Sequence, residues 1–337
     1  MKKPIFIFNV LLFVVITINA QQSEFPELTG PCLGQKPPET APEIFAPGII
    51  STIHHEHSSP SFSPDGKEIF YSVFYLGIKN EVIMNMRFLD GRWTSPEVAT
   101  FSGQYRDGGP SFSSDGEKIF FYSKRPIGEN REETKGDLWV SRKTCDGWSK
   151  AMHLGLGINT EQMEMTVSVT NNDVLYFSSI DDEGVWSIFR SEPVGNKYNN
   201  REFIGKLVGD EYSEWCPFIS PDESYLLFSA YKLSGVENND IFISFRQTSG
   251  SWGKAISLGE GINTVSQEQF PRVSNDGKYL FFTSNREQRN LKYKNSSYYE
   301  NPLTSEKIQE ITTNPGNGKG DIYWVDTKVI EEFKSRE

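Results

Sequence analysis

Cysteine is scarce in this chain. Its 337 residues hold three, Cys32, Cys145 and Cys216, at spacings that recur nowhere. An odd, irregular set argues against a disulfide framework. At most Cys32 pairs with Cys145, and Cys216 reads as a small buried apolar residue. Histidine is also rare: there are four, three of them in the run HHEH at 54–57. Positive charge is in deficit, with 34 Lys and Arg against 45 Asp and Glu, for a net charge of −11. That balance disfavours nucleic acid and anionic membrane surfaces as partners. Missing too are a G-x-S-x-G elbow, an H-E-x-x-H pair, a phosphate-binding glycine loop and a C-x-x-C pair. No common hydrolase nucleophile and no nucleotide cofactor is signalled.

Long apolar runs are missing except at the start. MKK precedes IFIFNVLLFVVITI, and Ala20 stands before Gln21-Gln22. A positive n-region, a short apolar stretch and a small residue at the end describe a secretory signal peptide over residues 1–20. The run is short for a membrane span, and no later stretch is a candidate. The expected product is exported, periplasmic or extracellular, and more acidic once Lys2 and Lys3 are removed.

What the chain does have is a repeat. HSSPSFSPDGKEIFYS, residues 57–72, reads as a strand, a Pro64-Asp65-Gly66 turn and a second strand rich in β-branched and aromatic residues. Related hairpins follow at 107–123 (DGGPSFSSDGEKIFFYS), 164–179, 214–230 and 268–284. Aligning Pro60, Pro110, Val167, Pro217 and Pro271 gives steps of 50, 57, 50 and 54 residues. A period of this length signals a propeller or an array. Each unit continues into a third strand (EVIMNMR 81–87, GDLWVSR 136–142, GVWSIFR 184–190, NDIFISF 239–245, GDIYWVD 320–326). A fourth then starts on an aromatic residue, Trp93, Trp148, Tyr198 or Trp252. Four antiparallel strands repeated radially make a propeller blade. The recurrence of these aromatics favours packing over ligand stacking. Likewise Asp65, Asp115, Asp222 and Asp276 read as turn residues that bond their own backbone, not as calcium ligands.

The fifth unit lacks a fourth strand. Pro42-Glu43-Ile44 in TAPEIFAPG matches Pro96-Glu97-Val98 of the first unit and sits just before the first hairpin. The expectation is an all-β, five-bladed ring closed by this N-terminal strand, which leaves no open edge at the seam. A six-bladed ring is the alternative. Residues 21–39 form an irregular lead-in, 40–327 one propeller domain with a long loop at 285–319, and 328–337 a charged, helix-like tail.

The SPDG-centred hairpin with its D-I-Y-type third strand resembles the TolB-like family of β-propeller repeats, relatives of the WD type, over roughly residues 40–326. The resemblance implies the fold, and a role in contacts with other envelope components. Members of that family usually carry six blades. One architecture carries many activities, so the site has to be argued from its own residues.

Topology places the loops before each first strand on one rim, together with the loops between second and third strands. The uniform SPDG turns lie on the other. Variable loops above a rigid scaffold are where function concentrates. Three residues before the aligned position stand His57, Asp107, Glu164, Glu214 and Glu268. Gathered at a channel mouth, they would shift each other's protonation or recruit a hard cation. His57 and Glu214 are the candidates for a divalent ion, with no other cofactor expected. Each acid could equally bond the backbone of a neighbouring loop, or contact an amine or sugar. Oligogalacturonate lyases, larger propellers, hold a metal through His on such a face, but here the imidazoles sit in one stretch. Lys124, Arg125 and Lys232 add positive charge to this rim. Arg286, Tyr293, Tyr298 and Tyr299 fall in the loop 285–319, which reads as a lid or docking segment. Together these residues suggest a monomeric binding module for a protein, peptide or glycan ligand. The alternative is a carbohydrate-active hydrolase or lyase that uses the rim carboxylates with His57.

Overall fold

A computed structural model describes residues 25–77, 80–128, 132–195, 197–235, 238–287 and 304–334. The leader at 1–20 and Tyr293, Tyr298 and Tyr299 lie outside them. Five antiparallel sheets follow one another along the chain, and their inner strands pack side by side around a central channel. Blade one is His55–Phe62, Glu68–Phe74, Glu81–Leu89 and Glu97–Val98. The inner strands of the others are Asp107–Phe112, Glu164–Val169, Tyr212–Ile219 and Glu268–Val273. The chain is thus an all-β, five-bladed propeller.

The hairpin turns behave as their residues dictate. The Asp65 carboxylate accepts from the Lys67 backbone N–H at 3.1 Å and from the Ser63 hydroxyl at 2.6 Å. Those bonds hold it below the ordinary carboxylate range. Gly66 supplies a φ of 67° that completes the turn.

The predicted fourth strands divide in two. Trp93, Trp148 and Tyr198 belong to two-residue ribbons at the blade tips. The outer strands proper come a few residues later, at Glu97–Val98, Met152–His153, Glu202–Phe203 and Ile256–Ser257. The aromatics leave the sheet because they fill the space between blades. Trp148 of blade two meets Phe70 of blade one at 5.7 Å between ring centroids. Tyr198 meets Phe120 of blade two at 6.2 Å, and Trp252 meets Tyr176 of blade three at 6.1 Å.

Ring closure uses Glu43–Ile44, which pairs antiparallel with Asp321–Asp326, Glu43 opposite Trp324 and Ile44 opposite Tyr323. The lead-in does more than precede this strand. The Gln35 side chain donates to Ile44 O at 2.9 Å and accepts from Ala46 N at 2.7 Å. One carboxamide thereby satisfies the outer edge, as another strand would. Among the described residues α-helix is found in two places, Ser305–Thr313 in the return of the blade-five loop and Lys328–Lys334 in the tail, and the lead-in holds one 3-10 turn, Pro31–Gly34. The tail helix buries Ile330 and Phe333. Cys32, Cys145 and Cys216 are all free thiols.

Candidate functional site

The repeated acids are not an open ring. Asp107, Glu164, Glu214 and Glu268 are each 0% exposed. Each is held by the loop that leads into its own blade. Glu164 accepts from Thr160 N at 3.0 Å and Thr160 Oγ1 at 2.7 Å. Glu268 repeats this with Thr264 at 2.8 Å twice. Glu214 takes the N–H groups of Leu207 and Val208, and Asp107 the hydroxyl of Ser102. Burial raises the Glu164 and Glu214 carboxyls above their ordinary values against these bonds.

The member of this set in blade one is Glu56, not His57. Glu56 is 0% exposed and accepts from Thr52 N at 3.2 Å and Thr52 Oγ1 at 2.9 Å. The inner strand of blade one carries an extra residue, with register shifts between Glu56 and Ser58 and between Ser58 and Ser61. Counting back a fixed three residues from Pro60 therefore lands one place late. The signal in the chain is a Thr four residues before the acid, at 52 and 56, 160 and 164, and 264 and 268.

Three basic side chains close these acids off. Arg125 reaches Asp107 at 2.7 Å, Arg286 reaches Glu268 at 3.1 Å, and Arg201 reaches Glu164 at 3.1 Å. Arg125 and Arg286 also donate to the carbonyls of Phe101 and Ile262 in the neighbouring loops. They brace the scaffold and do not project from the rim. Lys124 bonds through its backbone to Arg106 O, and the Lys232 ammonium lies 5.9 Å from the Tyr212 ring centre.

His57 instead joins a cluster that no repeat position announces. Its Nδ1 lies 2.9 Å from Oε1 of Glu81, the first residue of the third strand of blade one. Glu81 is buried, and it also accepts from Arg106 Nε at 3.3 Å and from the Tyr122 hydroxyl of blade two. Burial pushes this carboxyl up, but His57, Tyr122 and Arg106 outweigh it and hold the group below its ordinary value. Gly108 makes room for the cluster: a Cβ there would lie 2.1 Å from Glu81 Oε1 and 2.7 Å from the Tyr122 ring. Gly108→Ala is expected to cost about 1–3 kcal/mol in a denaturant titration, since a packed core resists an added methyl.

Around His57 the rings form an arc. Trp186 of blade three lies 6.1 Å from Trp215 of blade four, and Trp215 5.8 Å from Phe270 of blade five. Phe270 lies 4.6 Å from His57, and His57 4.3 Å from Phe74 of blade one. The Arg106 guanidinium, on the loop leading into blade two, stands 5.3 Å from Phe74. The arc touches all five blades at the channel end opposite the SPDG turns. Trp186, Trp215, His57 and Arg106 keep part of their surface open. The imidazole of His55, beside His57, is pushed down to about 4 by burial first and by His57 second.

Glu214, bonded to Leu207 N and Val208 N, takes no part in the cluster around His57. Among the described residues, no group of three or more His, Cys, Asp or Glu side chains is arranged to hold a metal ion. Arg286 is the rim candidate of loop 285–319 that the described residues include. The return of that loop carries the exposed helix Ser305–Thr313 and then Lys319, whose ammonium donates to Ile53 O at 2.8 Å. Among the described residues no helix is long and apolar enough to cross a membrane.

No family model and no curated protein matches this chain. Solved structures that resemble it include TolB from Acinetobacter baumannii, at 19% identity and a TM-score of 0.45. That likeness covers 68% of this chain and 49% of the other, so the chain spans about half the length of that protein. A TolB-assigned protein from Agrobacterium tumefaciens is similar at 15% identity and a TM-score of 0.47, over 80% and 90% of the two chains. A puromycin-hydrolysing peptidase from Mycobacterium tuberculosis is similar at 11% and 0.41, over 67% and 34%. The assignment as a five-bladed propeller rests on the strand pairings themselves.

Proposed function

We propose that this chain is an exported binding module that takes a segment of another protein across the loop-side mouth of its channel. The observation behind this reading is the arc of Trp186, Trp215, Phe270, His57 and Phe74, ending on Arg106. Phe270 and Phe74 are buried supports, while Trp186, Trp215, His57 and Arg106 are partly open, and partly open indoles and a guanidinium are the usual anchors of a protein contact. The acids that an enzymatic reading would use are enclosed and already bonded, which favours binding over hydrolysis or elimination. A glycan is the second reading, favoured by the two neighbouring indoles Trp186 and Trp215, whose faces suit sugar rings.

Capture from envelope extracts identifies candidate partners, and a panel of acidic and neutral oligosaccharides tests the glycan. Trp215→Ala is expected to weaken the ligand found by at least tenfold in calorimetric titration, because truncating a central aromatic anchor commonly removes 2 kcal/mol or more. Arg106→Gln should weaken it less. Binding unchanged in both variants would place the contact elsewhere. Turnover of an oligosaccharide that is lost in Glu81→Gln would replace the binding reading with an enzymatic one.

A further inference from the structure

At the opposite end of the channel, five equivalent positions form a layer. They face Phe70, Phe120, Tyr176, Leu227 and Phe281 of the second strands, and they are Ser61, Ser111, Ser168, Phe218 and Arg272. Arg272 departs from the others in size and charge. Its guanidinium crosses from blade five to blade two, where it donates to Ser111 Oγ at 3.2 Å and to Pro110 O at 3.3 Å. Beneath it, toward the SPDG turns, lies a cavity of about 310 Å³, against about 20 Å³ above it.

The chemistry of that cavity is one-sided. Its lining contains no Asp or Glu, and Arg272 is its one cation. Among the described residues no carboxylate pairs with Arg272. A guanidinium carries five N–H donors, and two contacts leave most of them free. The serines add to this. Ser61 Oγ accepts from Phe112 N at 3.0 Å, and Ser168 Oγ from Ile219 N at 3.0 Å. Ser111 Oγ accepts from Arg272 itself. Each oxygen is thus used as an acceptor, and among the described residues nothing takes the three hydroxyl protons. The turn carboxylates nearby do not compete, since Asp65, Asp115 and Asp276 are each bonded to the serine and backbone of their own turn. Arg272 is half-buried, a guanidinium drawn out of water without a counter-charge is costly, and burial pulls it down to about 10.

We propose that the turn-side end of the channel binds a small oxyanion, a carboxylate or phosphate group, through the Arg272 guanidinium and the hydroxyls of Ser61, Ser111 and Ser168. A forked guanidinium matches two oxygens of such a group. The acidic body admits a compact anion better than a polyanion. The site is separate from the aromatic arc, and neither depends on the other.

The test is calorimetric titration of the full chain with inorganic phosphate, acetate, and a short peptide with either a free or an amidated C-terminus, all at constant ionic strength against chloride. Saturable binding of at least one oxyanion is expected, with a matching rise in thermal midpoint. Arg272→Met should weaken it at least tenfold. A response to the free but not the amidated peptide assigns a chain terminus as the source, and a response to phosphate or acetate assigns a free anion. Ser111→Asp covers the case in which Arg272→Met does not fold. It sets an internal carboxylate against the guanidinium, so it should abolish the anion response and raise the midpoint without added anion. No oxyanion response above chloride would overturn the proposal. So would a response as strong in Arg272→Met or Ser111→Asp as in the parent chain.

Discussion

Phe45→Ala is expected to destabilise the fold by about 3–5 kcal/mol, the range for emptying a buried aromatic site. Phe45 is 0% exposed and packs at 5.1 Å on Phe281, 5.2 Å on Trp324 and 6.2 Å on Phe62. Those rings come from blade five and blade one, so this one side chain fills the junction where the ring shuts. Its backbone N–H also donates to Ile322 O at 2.8 Å. A chain starting at residue 49 loses more. It exposes the edge of Asp321–Asp326 and uncovers Trp324, which is 0% exposed in the closed ring. Such a chain should aggregate or melt without cooperativity, because an open apolar strand edge recruits other chains. Urea unfolding of the substituted chain and light scattering of the truncated one check both outcomes. A loss under 1 kcal/mol for Phe45→Ala would mean that the ring closes by other contacts.

The same seam should make stability fall as pH rises from 5 to 8. Burial raises the Glu56 carboxyl from 4.5 to about 8, with Asp321 adding to the shift. Burial raises Asp321 itself from 3.8 to about 6. Glu56 lacks the arginine that answers Asp107, Glu164 and Glu268. One oxygen of Asp321 has no hydrogen-bond partner, whereas the matching Asp137 of blade two meets His153 at 2.8 Å. A carboxyl with a higher pKa in the folded than in the unfolded chain keeps a proton that the unfolded chain has released. Its stabilisation is complete below the unfolded value and is lost as pH rises through the folded one. For Glu56 the window runs from 4.5 to about 8. One proton per molecule over most of that window amounts to a loss on the order of 3 kcal/mol. Glu56→Gln should flatten the profile and leave the protein more stable than the parent at pH 8. Its amide can accept from Thr52 N and donate to Thr52 Oγ1. Denaturant titrations at four pH values decide this, and an unchanged slope in Glu56→Gln would remove Glu56 as the cause.

The blades were legible because their signals are local. Pro64-Asp65-Gly66 sets a turn through its own backbone, and Ile69-Phe70-Tyr71 make a strand whichever fold surrounds them. Closure was legible too, since Pro42-Glu43-Ile44 repeats the pattern of Pro96-Glu97-Val98. The site was much less so. A single inserted residue in blade one puts His57 where a fixed count expects Glu56, and only Thr52, four residues before Glu56, marks the true position. Arg125 and Arg286 are rim charges by sequence position, and only the fold pairs them with Asp107 and Glu268. Trp148 and Tyr198 open the expected fourth strands in the sequence, but they pair only in two-residue ribbons and their rings fill gaps between blades.

By itself, then, the order of residues determined the hairpin and its fivefold use, because each turn and strand follows from interactions between near neighbours, and it marked the strand that shuts the ring, because that strand repeats a pattern although its partner lies at the far end of the chain. Only the tertiary structure decided which polar groups are spent inside and which stay open. Trp186, Trp215, Phe270 and His57 hold different offsets in different blades and meet only once the blades are arranged in a circle. Arg272 is an unremarkable strand residue until the same circle sets it opposite Ser111. Side chains that point into a shared channel have no common spacing along the sequence, so only the closed ring brings them together.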